Sequence, residues 1–224
     1  MINSGIVDSL LKILSTWELD NITQPYIDAL TSFTYPSNFE IIQQLIQKKS
    51  LPTLLRLFEH EDENIIKRAI NAIDNIIYYG AIGTDTTQSH PYYQDLTQIG
   101  GIIKIFELFR RTKHEYSKIV SSTCLGIVFR AREMINPEMK VEIINYLKSI
   151  ITHENYNLRK LAKLALKCLA QNSVTEGAQL KRLLKNAPAE LTDLLTHMLS
   201  YDPDERYNAH QCLKHPYLQL IERS

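Results

Sequence analysis

Apolar positions recur along this chain with a helical period, in a block that is itself repeated. In residues 49–79, Leu51, Leu54, Leu55 and Phe58 follow i, i+3, i+4, i+7 spacing, and Ile65, Ile66, Ala69, Ile70, Ile73 and Ile76 do the same on a second segment. The polar stretch 60–64 between them predicts a turn, with Asp62 or Asn64 as N-cap. The second segment carries apolar side chains over more than one narrow stripe. Such a helix pair cannot bury that surface alone and needs a neighbour on each side, which is the condition for a stacked repeat.

Three further copies are present. Residues 5–35 align when Leu10 is laid on Leu54, and their second segment when Ala29 is laid on Ala72. Pro25 falls in the first turn of that second helix, where a missing N–H costs little. Residues 38–47 add a short amphipathic helix between copies. A third copy begins at Gly100 and Gly101, with its inner helix over 115–131. Residues 134–147 lead into a fourth copy, 141–172, in which Ala162 falls on Ala69, Ala165 on Ala72 and His153 on His60. Residues 80–94, rich in Gly, Thr, Ser and Pro, read as a surface loop inserted between the second and third copies. Residues 173–177 read as a break after the last copy.

Three helices per unit and a period in the forties fit the armadillo/HEAT scale. The segment Ala69, Ile70, Ala72, Ile73, Asn75, Ile76 resembles the third helix of an armadillo repeat, in which small residues allow close packing and an Asn faces the groove. The resemblance covers about residues 5–172. It implies an all-α, right-handed armadillo-like solenoid over residues 1–175, closed by a C-terminal helical cap over 178–224. It also implies a protein-binding groove lined by Asp28, Ser32, Asn71, Asn75, Thr123 and Ile127, with Lys163 and Lys167 near the far end. Only the second copy keeps the Asn; Ser32, Ile127 and Cys168 replace it elsewhere. Asp28, Asn71, Thr123 and Leu164 replace the family's Trp one turn earlier. Without an Asn–Trp ladder, a nuclear-import adaptor that holds basic peptides is not expected.

Residues 191–218 carry a different signal. Leu194, Leu195, Met198, Leu199, Asp202, Pro203, Arg206, Ala209, Leu213, His215, Pro216 and Tyr217 resemble the end of a protein kinase C-lobe of the CDK/MAPK-like branch. Asp202 is placed as an N-cap with Pro203 after it, and 208–214 as the last helix, from which the chain turns out at His215 before Pro216. The resemblance pairs Arg206 with the Glu of an Ala-Pro-Glu motif, which the chain lacks. It also lacks a Gly-rich loop, a Val-Ala-Ile-Lys-like strand, a His-Arg-Asp loop and an Asp-Phe-Gly motif, which phosphoryl transfer needs together. The chain is therefore expected not to be an enzyme. A remnant and a piece of a longer kinase–repeat protein both fit the tail.

Composition narrows the partners. Lys+Arg and Asp+Glu are both 25, which argues against a general nucleic-acid or anionic-membrane binder. Cys124, Cys168 and Cys212 sit far apart in helical contexts, as reduced thiols of a cytoplasmic or nuclear protein do. No signal peptide or membrane-spanning run is read. No catalytic set, metal site or cofactor is expected. His210, Cys212 and His215 do not have zinc-ligand spacing, and the likeness of residues 90–92 to 215–217 is taken as coincidence. Two basic clusters, Arg110–Arg111–Lys113 and Arg130–Arg132, read as solvated helix ends or as sites for an acidic group. The function expected is a scaffold that binds a protein or peptide.

Overall fold

The structure, a computed structural model, describes residues 5–134, 136–183, 188–198 and 206–221. Among these every regular element is a helix. The inner row is α2 (Gln24–Thr31), α5 (Glu63–Ile82), α8 (Glu115–Val128) and α10 (Tyr156–Leu183). The outer row is α1 (Ile6–Thr16), α4 (Ser50–Arg56), α7 (Gly101–Arg111) and α9 (Pro137–Ile150). Two short helices, α3 (Phe39–Gln47) and α6 (Tyr93–Gln98), precede the outer helices of the second and third copies. Each inner helix packs on the next, α2 on α5, α5 on α8 and α8 on α10. The tail forms α11 (Ala189–Met198), α12 (Ala209–Leu213) and α13 (Pro216–Ile221), and α11 meets α10.

Local chemistry explains why the copies start where they do. Outer helices α1, α4 and α7 each follow a left-handed residue: Gly5 at φ 76°, Lys49 at 58° and Gly100 at 69°. Inner helices follow polar caps: Asp62 accepts from the Asn64 N–H at 2.8 Å, and Asn155 from the Asn157 N–H at 2.9 Å. The histidine shared by copies two and four joins cap to neighbour. His60 Nδ1 accepts the Asp62 N–H at 2.8 Å, while Nε2 reaches the Ile22 carbonyl of the preceding copy at 3.1 Å. His153 accepts the Asn155 N–H in the same way, with Nε2 3.8 Å from Glu115. In the third copy Thr112 takes that histidine's place, accepting the His114 N–H at 3.1 Å, and His114 is itself the N-cap, accepting the Ser117 N–H at 3.4 Å.

The core runs without a gap from Val7 to Leu169. Where the rows approach most closely, side chains are small. A Cβ on Gly126 would stand 2.6 Å from the Ala165 Cβ and 3.1 Å from Leu147. Ala165 is tied to the backbone of α10 and cannot step aside. Gly126→Val is therefore expected to lower unfolding stability by about 2–3 kcal/mol, read as a lower urea midpoint at unchanged slope.

Several sequence expectations need correction. The inserted loop is shorter than 80–94, because α5 continues to Ile82 and α6 begins at Tyr93. It is also held in place. Arg130, 1% exposed, donates from Nε to the Gln88 carbonyl (2.9 Å), from Nη1 to Ala81 (2.7 Å) and from Nη2 to Thr84 Oγ1 (2.7 Å). The break at 173–177 is absent: α10 runs through it, since the stretch contains no Pro and one interior Gly costs only about 1 kcal/mol. The fourth copy has no separate lead-in, because one helix, α9, spans it. In the tail α12 is not the last helix, since Pro216 opens α13.

Candidate functional site

The helices that would line a groove are α2, α5, α8 and α10, and they expose different amounts of polar surface. On α5, Asn71 and Asn75 are half-buried on one face with exposed Arg68. Asn71 Oδ1 accepts from the Tyr116 hydroxyl at 2.8 Å, and Asn75 Nδ2 donates to Thr34 Oγ1 at 3.1 Å. These bonds orient both amides and leave the NH2 of Asn71 and the carbonyl of Asn75 with no protein partner among the described residues. Arg68 Nε lies 2.9 Å from Asp28 Oδ1, and Gln24 donates to Asp28 Oδ2 at 3.1 Å. The Lys67 ammonium sits 5.3 Å from the centre of the Tyr116 ring. Burial, with Asp74 nearby, holds the Tyr116 hydroxyl above its ordinary pKa, so it remains a donor. Ser32 is exposed, its hydroxyl turned to the Ala29 carbonyl.

Thr123 and Ile127 do not join this strip. Both are 0% exposed, as are or nearly are Ile119 and Val120 on the same face of α8. Helix α8 is enclosed by α5, α7, α9 and α10, and its Gly126 and serines let those neighbours close in. Lys163 and Lys167 are exposed, but in the register set by the two N-caps they stand where α5 has Ile70 and Asp74, the face that packs on α8. By register they therefore lie off the concave strip. The strip is thus confined to α2, α5 and the first turn of α8. Arg68, Lys67 and Tyr116 are its members that sequence reasoning missed. Arg68 and Asn71 share one face at i, i+3, which was a legible signal. Tyr116 was not, since its contact depends on the tilt between helices.

The basic clusters are engaged inside the chain. Arg110 is bonded to Glu142 and paired with Glu138, Arg111 donates to the Phe58 carbonyl, and Arg132 stacks over Tyr93. Cys124 and Cys168 are buried core thiols, both pushed up by burial, Cys168 to about 11, so neither is a thiolate nucleophile. Among the described residues no group of His, Cys, Asp or Glu is placed to hold a metal, and no helix is long and apolar enough to cross a membrane.

In the tail, His215 Nε2 lies 3.0 Å from Asp193 Oδ2, and Nδ1 accepts the Tyr217 N–H at 3.3 Å. His90 makes the same turn, with Nδ1 to the Tyr92 N–H at 3.2 Å and Nε2 to the Ile77 carbonyl at 2.9 Å. The shared His-Pro-Tyr run is thus shared turn chemistry, with Pro216 opening a helix in one case and Pro91 preceding one in the other. Arg206 is exposed. Asp202 and Pro203 lie outside the described residues.

Solved structures similar to this chain include designed armadillo repeat proteins. One aligns over 96% of this chain and 83% of its own, with a TM-score of 0.56 at 21% identity. Another, solved in complex with the peptide (KR)4, covers 75% of this chain and 66% of its own, with a TM-score of 0.50 at 22% identity. The fold is an armadillo-type solenoid. At that identity the likeness speaks for the armadillo fold alone. No family profile matches the chain. Serine/threonine-protein kinase MAK of Rattus norvegicus is 51% identical over 41 residues, 18% of this chain and 7% of the kinase. The MAPK/MAK/MRK overlapping kinase of Mus musculus is 44% identical over 45 residues, 20% and 11% of the two chains. The chain spans only a small part of these kinases. The matches support a kinase-like segment beside the armadillo repeats.

Proposed function

We propose that this chain is a non-catalytic scaffold that holds an extended protein or peptide segment on the strip formed by α2 and α5. The observation that supports it most is the oriented pair Asn71 and Asn75, each with one amide group left over for a ligand backbone. A peptide selected from a random displayed library on the immobilised chain is the test. Asn71→Ala with Asn75→Ala should weaken such a peptide at least about tenfold, the loss of two hydrogen bonds at about 1 kcal/mol each. Selection of no peptide, or one indifferent to the double change, rejects this site.

The second reading is a piece or remnant of a serine/threonine kinase, favoured by the short stretch 51% identical to MAK. Titration with Mg-ATP separates the two. The scaffold reading expects no saturable nucleotide binding, and binding at micromolar nucleotide would favour the kinase reading.

A further inference from the structure

The far end of the stack carries a stripe that the concave strip does not use. Tyr156, Lys160, Lys163 and Lys167 follow one another at i, i+4, i+7, i+11 on α10, and all four are exposed. That spacing puts them on a single helix face. The helix buries its opposite side, with Ala162 and Ala165 at 0% and Cys168 at 4% exposure. Cations elsewhere are mostly engaged: Lys48 with Asp8, Arg68 with Asp28, Arg110 with Glu142, Arg56 and Arg130 with carbonyls. Even Arg159, beside the stripe, is held by the His153 and Glu154 carbonyls. Among the described residues Lys160, Lys163 and Lys167 have no ion pair and no ring contact.

Register says what this face is for. Lys167 occupies the position of Asp74, which bonds to Thr123 and Cys124 of α8, and Lys163 the position of Ile70 one turn before it. An inner helix is seated there in the second copy, and α10 offers the same seat with ammonium groups in place of the apolar and carboxyl side chains. Helix α11 meets α10 but leaves the three lysines exposed. We infer that this face docks an acidic amphipathic helix of a partner protein, laid where a fifth inner helix would stack, its carboxylates meeting Lys160, Lys163 and Lys167. Charge complementarity selects the partner, and half-buried Leu166, between Lys163 and Lys167 in the chain, gives its apolar side something to cover. A terminal repeat also needs a polar end for solubility, so the experiment must separate the two roles.

Fluorescence anisotropy of the full chain with a labelled amphipathic peptide of about five helical turns, leucines on one face and glutamates on the other, does so. The expected result is saturable binding that weakens with salt. It should fall at least about tenfold in Lys160→Glu/Lys163→Glu/Lys167→Glu, survive Lys→Arg at all three positions, and be indifferent to Asn71→Ala/Asn75→Ala, which keeps it separate from the concave strip. Lys→Gln at the three positions, with helix content checked by circular dichroism, replaces the reversal should that variant not fold. A face that serves solubility only would bind neither this peptide nor its Lys-for-Glu counterpart. That outcome, or equal binding of both peptides, or undiminished binding by the triple variant, overturns the inference. So does tighter capture of single-stranded RNA or phosphatidylserine vesicles, which would assign the face to a different anion.

Discussion

Arg130→Met should cost about 3 kcal/mol of unfolding stability. The substitution keeps most of the side-chain volume and removes three donors, leaving the Ala81 and Gln88 carbonyls and Thr84 Oγ1 without their shared partner. Hydrogen bonds to a charged group contribute about 1.5–3 kcal/mol each, and the buried cation's own desolvation offsets part of that sum. Burial does depress the Arg130 pKa, yet a guanidinium stays charged at any pH of interest. Arg130→Lys should recover only part, because one ammonium cannot span three acceptors held in a fork. Urea unfolding gives the magnitude. Limited proteolysis gives the place: new cleavage should appear in residues 84–89, which the side chain pins to the end of α5. Wild-type stability in Arg130→Met, with no new cleavage there, would show that the insertion is held by something else.

Asp74→Asn should act in the opposite direction. Asp74 is 5% exposed between α5 and α8, accepting from Thr123 Oγ1 at 3.3 Å and Cys124 Sγ at 3.4 Å. Desolvation raises its pKa from 3.8 to about 6, against the lowering effect of those two donors. The folded state therefore holds the proton more tightly than the unfolded chain. Stability from this group is fully present below about pH 4 and is lost as pH rises through about 6. A shift of that size corresponds to about 3 kcal/mol. The amide keeps an acceptor for Thr123 and carries no charge, so Asp74→Asn should be more stable than wild type at pH 7 by about 2–3 kcal/mol, with the difference vanishing near pH 4. Equal stability of the two proteins at pH 7 would mean the carboxylate finds water or a cation in solution.

The repeat was legible because it rests on apolar spacing and small residues, which act locally and recur. Ala69 and Ala72, Ala162 and Ala165 fall in the same places because each must let a neighbouring helix approach, and all four are fully buried. Capping was partly legible: Asp62, one of two candidates, caps α5, and the helices read as starting at Asn38 and at Gly100–Gly101 do start there. The end of the last repeat was not. Residues 173–177 have loop-like composition, but helix continuation depends on what precedes them as much as on what they are. The candidate strip was half legible. Asn71 and Asn75 lie on it, while Thr123 and Ile127, equivalent by register, are buried by the four helices packed around α8. The basic clusters were misleading because a charge run does not reveal its acceptors; those of Arg130 come from a segment more than forty residues away.

The enclosure of α8 also sets a length. Neighbouring helices pack about 10 Å apart, so a ligand that enters over α2, crosses α5 and reaches Tyr116 travels about 20 Å before the accessible surface ends. An extended chain advances about 3.3 Å per residue, so some six residues fill that distance. A partner of this strip is read as a short word rather than a long sentence, and whatever affinity it has must come from those few residues or from a second foothold elsewhere on the molecule.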